Sequence, residues 1–138
     1  MKKFIINSLF ILIICSAHKC ERDKECEEAL AGITFINNSE KNIYFKMYWN
    51  YPDTVIGYPE PHEVDIIRPR GEFIRSAGRT TCWEVVLKDK KEWVYIFDHD
   101  TIKDLPWEVV RETNRGLLER RLIDLEYLQS TNFRVVYP

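Results

Sequence analysis

Residues 42–50 alternate without a break: Ile43, Phe45, Met47 and Trp49 fall on one side of an extended chain, and Tyr44, Lys46, Tyr48 and Asn50 on the other. Successive side chains of a strand point to opposite faces, so a period of two in aromatic and β-branched residues predicts a half-buried β-strand. A second segment, Trp93-Val94-Tyr95-Ile96-Phe97, is too apolar and aromatic for the surface of a helix and reads as a buried central strand. Sheet, not helix, therefore organises the chain.

Shorter stretches extend this pattern. Ile33-Thr34-Phe35-Ile36 runs into the turn cluster Asn37-Asn38-Ser39, residues 63–68 alternate until Pro69 and Gly71, and residues 72–75 and 133–137 supply two more short strands. Pro52, Pro59 and Pro61, with Gly57, make residues 51–61 a loop or a blunted edge, because proline removes ladder donors. Thr81-Cys82-Trp83-Glu84 matches a capping box, opening a helix with Trp83, Val86 and Leu87 on one face and Lys88, Lys90 and Lys91 late in its length. Asp104 is placed to cap a short helix carrying Pro106, Trp107 and Val110 and stopping at Asn114 and Gly116. Residues 117–130 stay open: Leu118, Leu122, Leu125 and Leu128 fit one helix, whereas Asp124 as an N-cap divides the stretch into a strand at 117–122 and a helix at 125–130.

The first residues read as an address. Lys2 and Lys3 precede an apolar stretch, Phe4 to Ile14, interrupted only by Asn7 and Ser8. At about 1.5 Å per residue it falls well short of a hydrocarbon core about 30 Å thick, which makes 1–17 a signal peptide and not an anchor. Leu12-Ile13-Ile14-Cys15 resembles a bacterial lipobox with Cys15 as the lipidated residue, although Ile14 is larger than the position prefers. Ordinary cleavage after Ala17 is the competing reading, and Cys20 is a third. Residues 18–30 are dense in charge and poor in apolar side chains, a flexible tether ahead of a single globular domain at 31–138.

With Cys15 lipidated or removed, Cys20, Cys26 and Cys82 remain, an odd number. An oxidising compartment favours one disulfide, Cys26–Cys82 or Cys20–Cys82; the alternative is a buried free Cys82 thiol on a helix face.

Several stretches together resemble a family of small exported lipoproteins of Gram-negative gut bacteria, to which no activity is attached. They are Ile36-Asn37-Asn38-Ser39 leading into 43–48, Tyr51-Pro52-Asp53-Thr54, Trp93 to Asp98, Pro106-Trp107, 117–121, 124–128 and 132–138. The resemblance covers residues 33–138, departs at Phe133 where tryptophan is usual, and tips the choice at the N-terminus toward Cys15. It implies a strand, a short helix and a closing strand in the last part of the chain, which favours splitting 117–130. The expected fold is α+β, a mainly antiparallel β-sheet or sandwich with three short helices in the C-terminal two-thirds. Its expected core is Ile33, Phe35, Phe45, Met47, Trp49, Trp83, Val94, Ile96, Trp107, Leu118, Leu122, Leu128 and Val135.

Chemistry-bearing patterns are sparse. The 138 residues carry a net charge of −2 with no basic clustering, so nothing points to nucleic acid. His62 and His99, with Cys82, Glu60, Glu63, Asp98 and Asp100, are ligand-type residues without ligand spacing, and the expectation is no cofactor and no metal. Asp98-His99-Asp100 with Asp104 lacks the glycine of a calcium loop; helix capping by Asp100, Thr101 or Asp104 accounts for it better. Arg68, Arg70, Arg75, Arg115, Arg120 and Arg121 are matched by nearby Glu63, Asp65, Glu72 and Glu119. Asp53-Thr54-Val55 and Asp100-Thr101-Ile102 have the form of O-glycosylation sites at Thr54 and Thr101.

Tyr48, Tyr51 and Tyr58 are the candidate ligand-binding residues, as rings that a glycan or a protein stacks on; packing against a second layer is the competing account. The functional expectation is a monomeric, non-enzymatic binding or accessory protein of the cell envelope. It would sit on the outer membrane or cell surface through an N-terminal lipid, or otherwise be periplasmic or secreted, and its partner would be an envelope protein or glycan. The alternative is a small hydrolase or metal-dependent enzyme using His62, His99 and nearby carboxylates.

Overall fold

Strand β2 (Ile43–Tyr48) pairs antiparallel along its whole length with β5 (Glu92–Asp98), from Ile43 opposite Asp98 to Tyr48 opposite Trp93. This ladder lies at the middle of a four-stranded antiparallel sheet in the order β3-β2-β5-β6, with β3 (Ile66–Ile67) and β6 (Leu117–Ile123) outermost. A second sheet, β4-β1-β7, places β1 (Ile33–Asn37) antiparallel to β4 (Glu72–Arg75) and parallel to β7 (Arg134–Tyr137). Among the described residues, four short helices complete the α+β architecture: α1 (Trp83–Val86), α2 (His99–Ile102), α3 (Trp107–Thr113) and α4 (Leu125–Ser130). These elements come from a computed structural model, which describes Cys26 and residues 32–49, 51–57, 65–78 and 81–138. The leader with Cys15, the tether apart from Cys26, and Tyr58 and His62 lie outside the described residues.

The two sheets face each other. Ile33, Phe35 and Val135 from one meet Phe45, Met47, Val94 and Ile96 from the other, with the Phe35 and Phe45 rings 4.6 Å apart. Trp83, Leu87 and Leu128 close the ends of this layer. The other face of the four-stranded sheet is also covered. Tyr44, Tyr48, Tyr95 and Phe97 pack against Ile56, Ile102, Trp107 and Val110, contributed by residues 51–57, α2 and α3.

Strand β2 is therefore buried on both faces, not one as its alternation predicts. The side that reads as polar consists of tyrosines and Lys46, whose apolar stems accept burial if their tips find partners. Tyr95 Oη donates to the Thr54 carbonyl at 2.9 Å, and Lys46 Nζ lies 3.2 Å from Asp65. Residues 51–57 are held onto this layer by Trp107 Nε1 donating to the Gly57 carbonyl and Arg111 Nε donating to the Ile56 carbonyl.

Local expectations meet mixed outcomes. Asp124 caps α4 by accepting the Tyr127 amide, so residues 117–130 divide into strand and helix. The capping box at Thr81 is not formed: Cys82 is the N-cap of α1, with no side-chain cap bond, and the helix ends at Val86, leaving Lys88, Lys90 and Lys91 in the following turn. Pro106 takes the cap position of α3 in place of Asp104, and α2 is capped by Asp98 and not by Asp100, Thr101 or Asp104. Asn114 adopts the left-handed conformation after α3, and Gly116 approaches Ile102 so closely that a Cβ there would lie 2.3 Å from its methyl. Trp49, expected in the core, is 52% exposed, because it lies beyond the last β2–β5 pair.

Two tethers join the layers. Asn37 is fully buried at the corner between the sheets: its amide donates to the carbonyls of Lys41, Ile67 and Arg68, and its Oδ1 accepts from Ser39. At the opposite edge, Arg121 on β6 pairs with Glu119 and donates to the Tyr127 hydroxyl and to the Val136 carbonyl of β7. Replacing Asn37 by alanine leaves buried carbonyls without donors and is expected to cost about 2–3 kcal/mol in urea denaturation, against under about 0.5 kcal/mol for exposed Asn38→Ala.

Cys26 and Cys82 are joined by a disulfide spanning 56 residues, with their Cα atoms 5.5 Å apart. Cross-linking a loop of that length restricts the unfolded chain, so the Cys26→Ser/Cys82→Ser pair is expected to lose about 2–4 kcal/mol, measured as a lower urea midpoint that added reductant no longer shifts.

Candidate functional site

Beyond Tyr48 the chain leaves the ladder, and the peptide between Tyr51 and Pro52 is cis. Trp49 and Tyr51 come out at the same end of the sheet as the turn that leads from α1 into β5. Between them lies a groove of about 410 Å³, lined by Trp49, Tyr51, Asp89, Lys90, Lys91 and Glu92. That volume is within the usual range of small-ligand sites.

Each wall has an identifiable support. The Trp49 indole stacks on Trp83, with planes 10° apart and centroids 6.3 Å apart. Trp83 is itself fixed by donating Nε1 to the Arg75 carbonyl at 2.9 Å and by its place next to the Cys82 disulfide. Tyr51 is 48% exposed and leans on Trp93, whose ring also carries the Arg120 guanidinium at 5.1 Å. Lys91 is drawn toward the neighbouring helix by Asp124, 3.1 Å away. The Tyr127 amide and Lys91 together hold the Asp124 carboxyl below its usual range.

Glu92 is the anomaly in this lining. As the first residue of β5 it turns into the layer between the sheets and is only 1% exposed. Its Oε2 has no hydrogen-bond partner, and burial pushes its pKa up to about 8 against the opposing pull of Lys90 and Arg75. At neutral pH the carboxyl is therefore mostly protonated, able both to donate and to accept.

A second cleft, of about 440 Å³, lies at the opposite end of β2 and is lined by Tyr44, Ile66, Arg68, His99 and Lys103. His99 Nδ1 is 3.1 Å from Asp100 Oδ1, and its ring tilts against Tyr44. Neighbouring Asp98 is committed elsewhere. It accepts from Lys41 at 2.7 Å and from the Thr101 amide, and these bonds keep its carboxyl below the usual range. Among the described residues no three His, Cys, Asp or Glu side chains form a set that could hold a metal ion.

Of the candidate aromatics, Tyr51 is exposed at the mouth of the groove, whereas Tyr48 is 5% exposed and packs edge-on against Tyr95. Tyr48 thus follows the packing account, and burial raises its phenol pKa. Thr54 and Thr101 are both exposed. The sequence reading does not reach Trp49, Lys90, Lys91 or Glu92 as site residues. Trp49 continues the alternation of β2, and a glutamate at the start of a strand carries no signal of burial. The chain matches no protein-family model, no curated protein and no solved structure.

The raised pKa of Glu92 has a direct thermodynamic consequence. Between pH 4.5, the ordinary value, and about 8, the folded state keeps a proton that the unfolded chain releases, so this group makes stability fall as pH rises through that window. Glu92→Gln is expected to remove that slope, matching the wild type near pH 5 and exceeding it by about 4 kcal/mol at pH 9 in denaturant titrations.

Proposed function

We infer that this is an exported protein of the cell envelope, anchored through Cys15 or released by cleavage after Ala17, that works by contact and not by catalysis. Its contact site is the groove walled by Trp49 and Tyr51. The leader pattern of residues 1–17 and the resemblance to small exported lipoproteins support the location. One observation carries the contact site: among the described residues, Trp49 and Tyr51 are the aromatic side chains left half exposed, and they wall one groove, while the other rings are buried or partly buried. Exposed rings in fixed orientations lose little conformational freedom on binding and give large contact areas. The hydrolase reading finds no such support among the described residues, where His99 meets one exposed aspartate and Asp98 is taken up by Lys41 and a helix cap.

The test is retention of the purified full chain carrying Cys15→Ser on envelopes prepared from the source cells. The wild-type groove is expected to bind saturably, and Trp49→Ala/Tyr51→Ala to weaken binding by about thirtyfold or more, as loss of an aromatic hot spot does. Ile74→Ser, on the exposed outer face of the other sheet, should leave it unchanged. Equal retention of the double variant and the parent would show that contact is made elsewhere.

A further inference from the structure

We propose that the end of the domain bearing Trp49, Tyr51 and the turn after α1 docks on a zwitterionic phospholipid surface, with both rings at headgroup level and the charged side chains of the turn among the headgroups. This rests on the contact-site reading above, taken with the chain held to a membrane at its N-terminus, and it names the partner.

The place where the chain enters the domain selects that partner. Cys26 is bonded to Cys82, Trp83 follows Cys82 in the chain, and the Trp49 indole stacks on Trp83. The N-terminal residues are therefore fastened a few side chains away from the exposed rings. From Cys15 to Cys26 the chain advances eleven residues, at most about 40 Å when fully extended. A domain of this size is itself about 35 Å across. Turning the far end of β2, with the cleft of Arg68, His99 and Lys103, to the bilayer would use up that whole length along the flank of the domain. The Trp49 end reaches the bilayer with length to spare.

The chemistry of that end suits a headgroup layer. Trp and Tyr gather at membrane–water interfaces, where the ring lies in the apolar boundary and its N–H or O–H stays wet. Trp49 is 52% exposed and Tyr51 48%. Beside them follow Lys88, Asp89, Lys90 and Lys91, all exposed, with Asp124 and Glu126 across the neighbouring hollow. Three cations against three acids leave no net field, which disfavours a polyanion and matches a lipid that carries one charge of each sign. Two rings alone hold a free domain weakly. Fastening the chain to the same surface makes the contact intramolecular, and the raised effective concentration lets a weak contact persist.

The experiment is tryptophan fluorescence of the full chain reconstituted in phosphatidylcholine vesicles, floated to remove unbound protein, and compared with vesicles of the same lipid carrying bromine high on the acyl chains. The four tryptophans are Trp49, Trp83, Trp93 and Trp107, so the emission reports on the domain and not on the leader. Wild-type emission is expected to be quenched by the brominated lipid, and to the same degree at about 0.05 and about 0.5 M salt, because a neutral surface has little to screen. Trp49→Phe keeps a ring at the surface but should lose most of the quenching, since Trp83 and Trp107 are buried. In that background Ile74→Trp, on the exposed outer face of the other sheet, should add emission that bromine does not quench. Tyr51→Asp, which sets a charge beside Trp49, should lower the quenching.

Equal emission in the two kinds of vesicle overturns the docking, as does its loss at the higher salt or undiminished quenching in Tyr51→Asp. Quenching of the Ile74→Trp ring as strong as that of Trp49 overturns it too, because the domain then has no preferred face. Envelope retention separates these failures from failure of the contact site. Retention that still depends on Trp49 and Tyr51, but is lost when the envelopes are treated with protease or periodate, keeps the groove and gives it a protein or glycan partner. Retention indifferent to both rings, together with no quenching, discards both.

Discussion

Burial of the β2–β5 ladder on both faces is the constraint from which the rest of the molecule follows. A central ladder covered on one side needs only one opposing layer, but here the second side carries Tyr44, Lys46 and Tyr48 facing Phe97, Tyr95 and Trp93. Large amphipathic side chains bury much apolar area while leaving hydroxyl or ammonium tips that need partners. The covering layer supplies them as backbone carbonyls and one carboxylate: Thr54 for Tyr95, Asp65 for Lys46. Residues 51–57 thus form a layer of the fold, although Pro52 and Gly57 mark them as a loop.

Much of the architecture is legible in the chain because it is written in local chemistry. Strands β2, β4 and β5 follow from alternation and from apolar and aromatic density, and α4 follows from one aspartate that caps it. The misses share a cause. Periodicity assigns side chains to two faces but cannot say that both are covered, so Lys46, Tyr44 and Tyr48 suggest solvent where there is a second core. Likewise Trp49 keeps step with Phe45 and Met47 in sequence but outruns the partner strand in space. Thr81 has the letters of a capping box, yet the cross-linked Cys82 occupies the cap in an extended conformation, with φ −130° and ψ 165°.

The candidate site was less legible than the fold for a related reason. Its parts come from the end of one strand, the beginning of another and the turn after α1, which only tertiary pairing brings together. Tyr51 announces itself by following an aromatic strand into a proline turn. Glu92 does not, because its unusual protonation arises wholly from the layers packed around it. The groove is in this sense a by-product of how the sandwich is sealed: the Cys26–Cys82 link fixes Cys82, Trp83 follows in the chain, and Trp49 rests on Trp83.

Strand β1 sits between β4 and β7, and its parallel register with β7 joins residues near 35 to residues near 135. Emerging from a ribosome, the first strand waits for about a hundred further residues before its second neighbour exists. Arg121 reaches a carbonyl of that same late strand, so the latch on the far edge also engages last. Until then Phe35 and its neighbours lack half their cover. The smaller sheet, and with it the cover on Phe35, is therefore completed only once residues 134–137 have been made, after all four strands of the larger one.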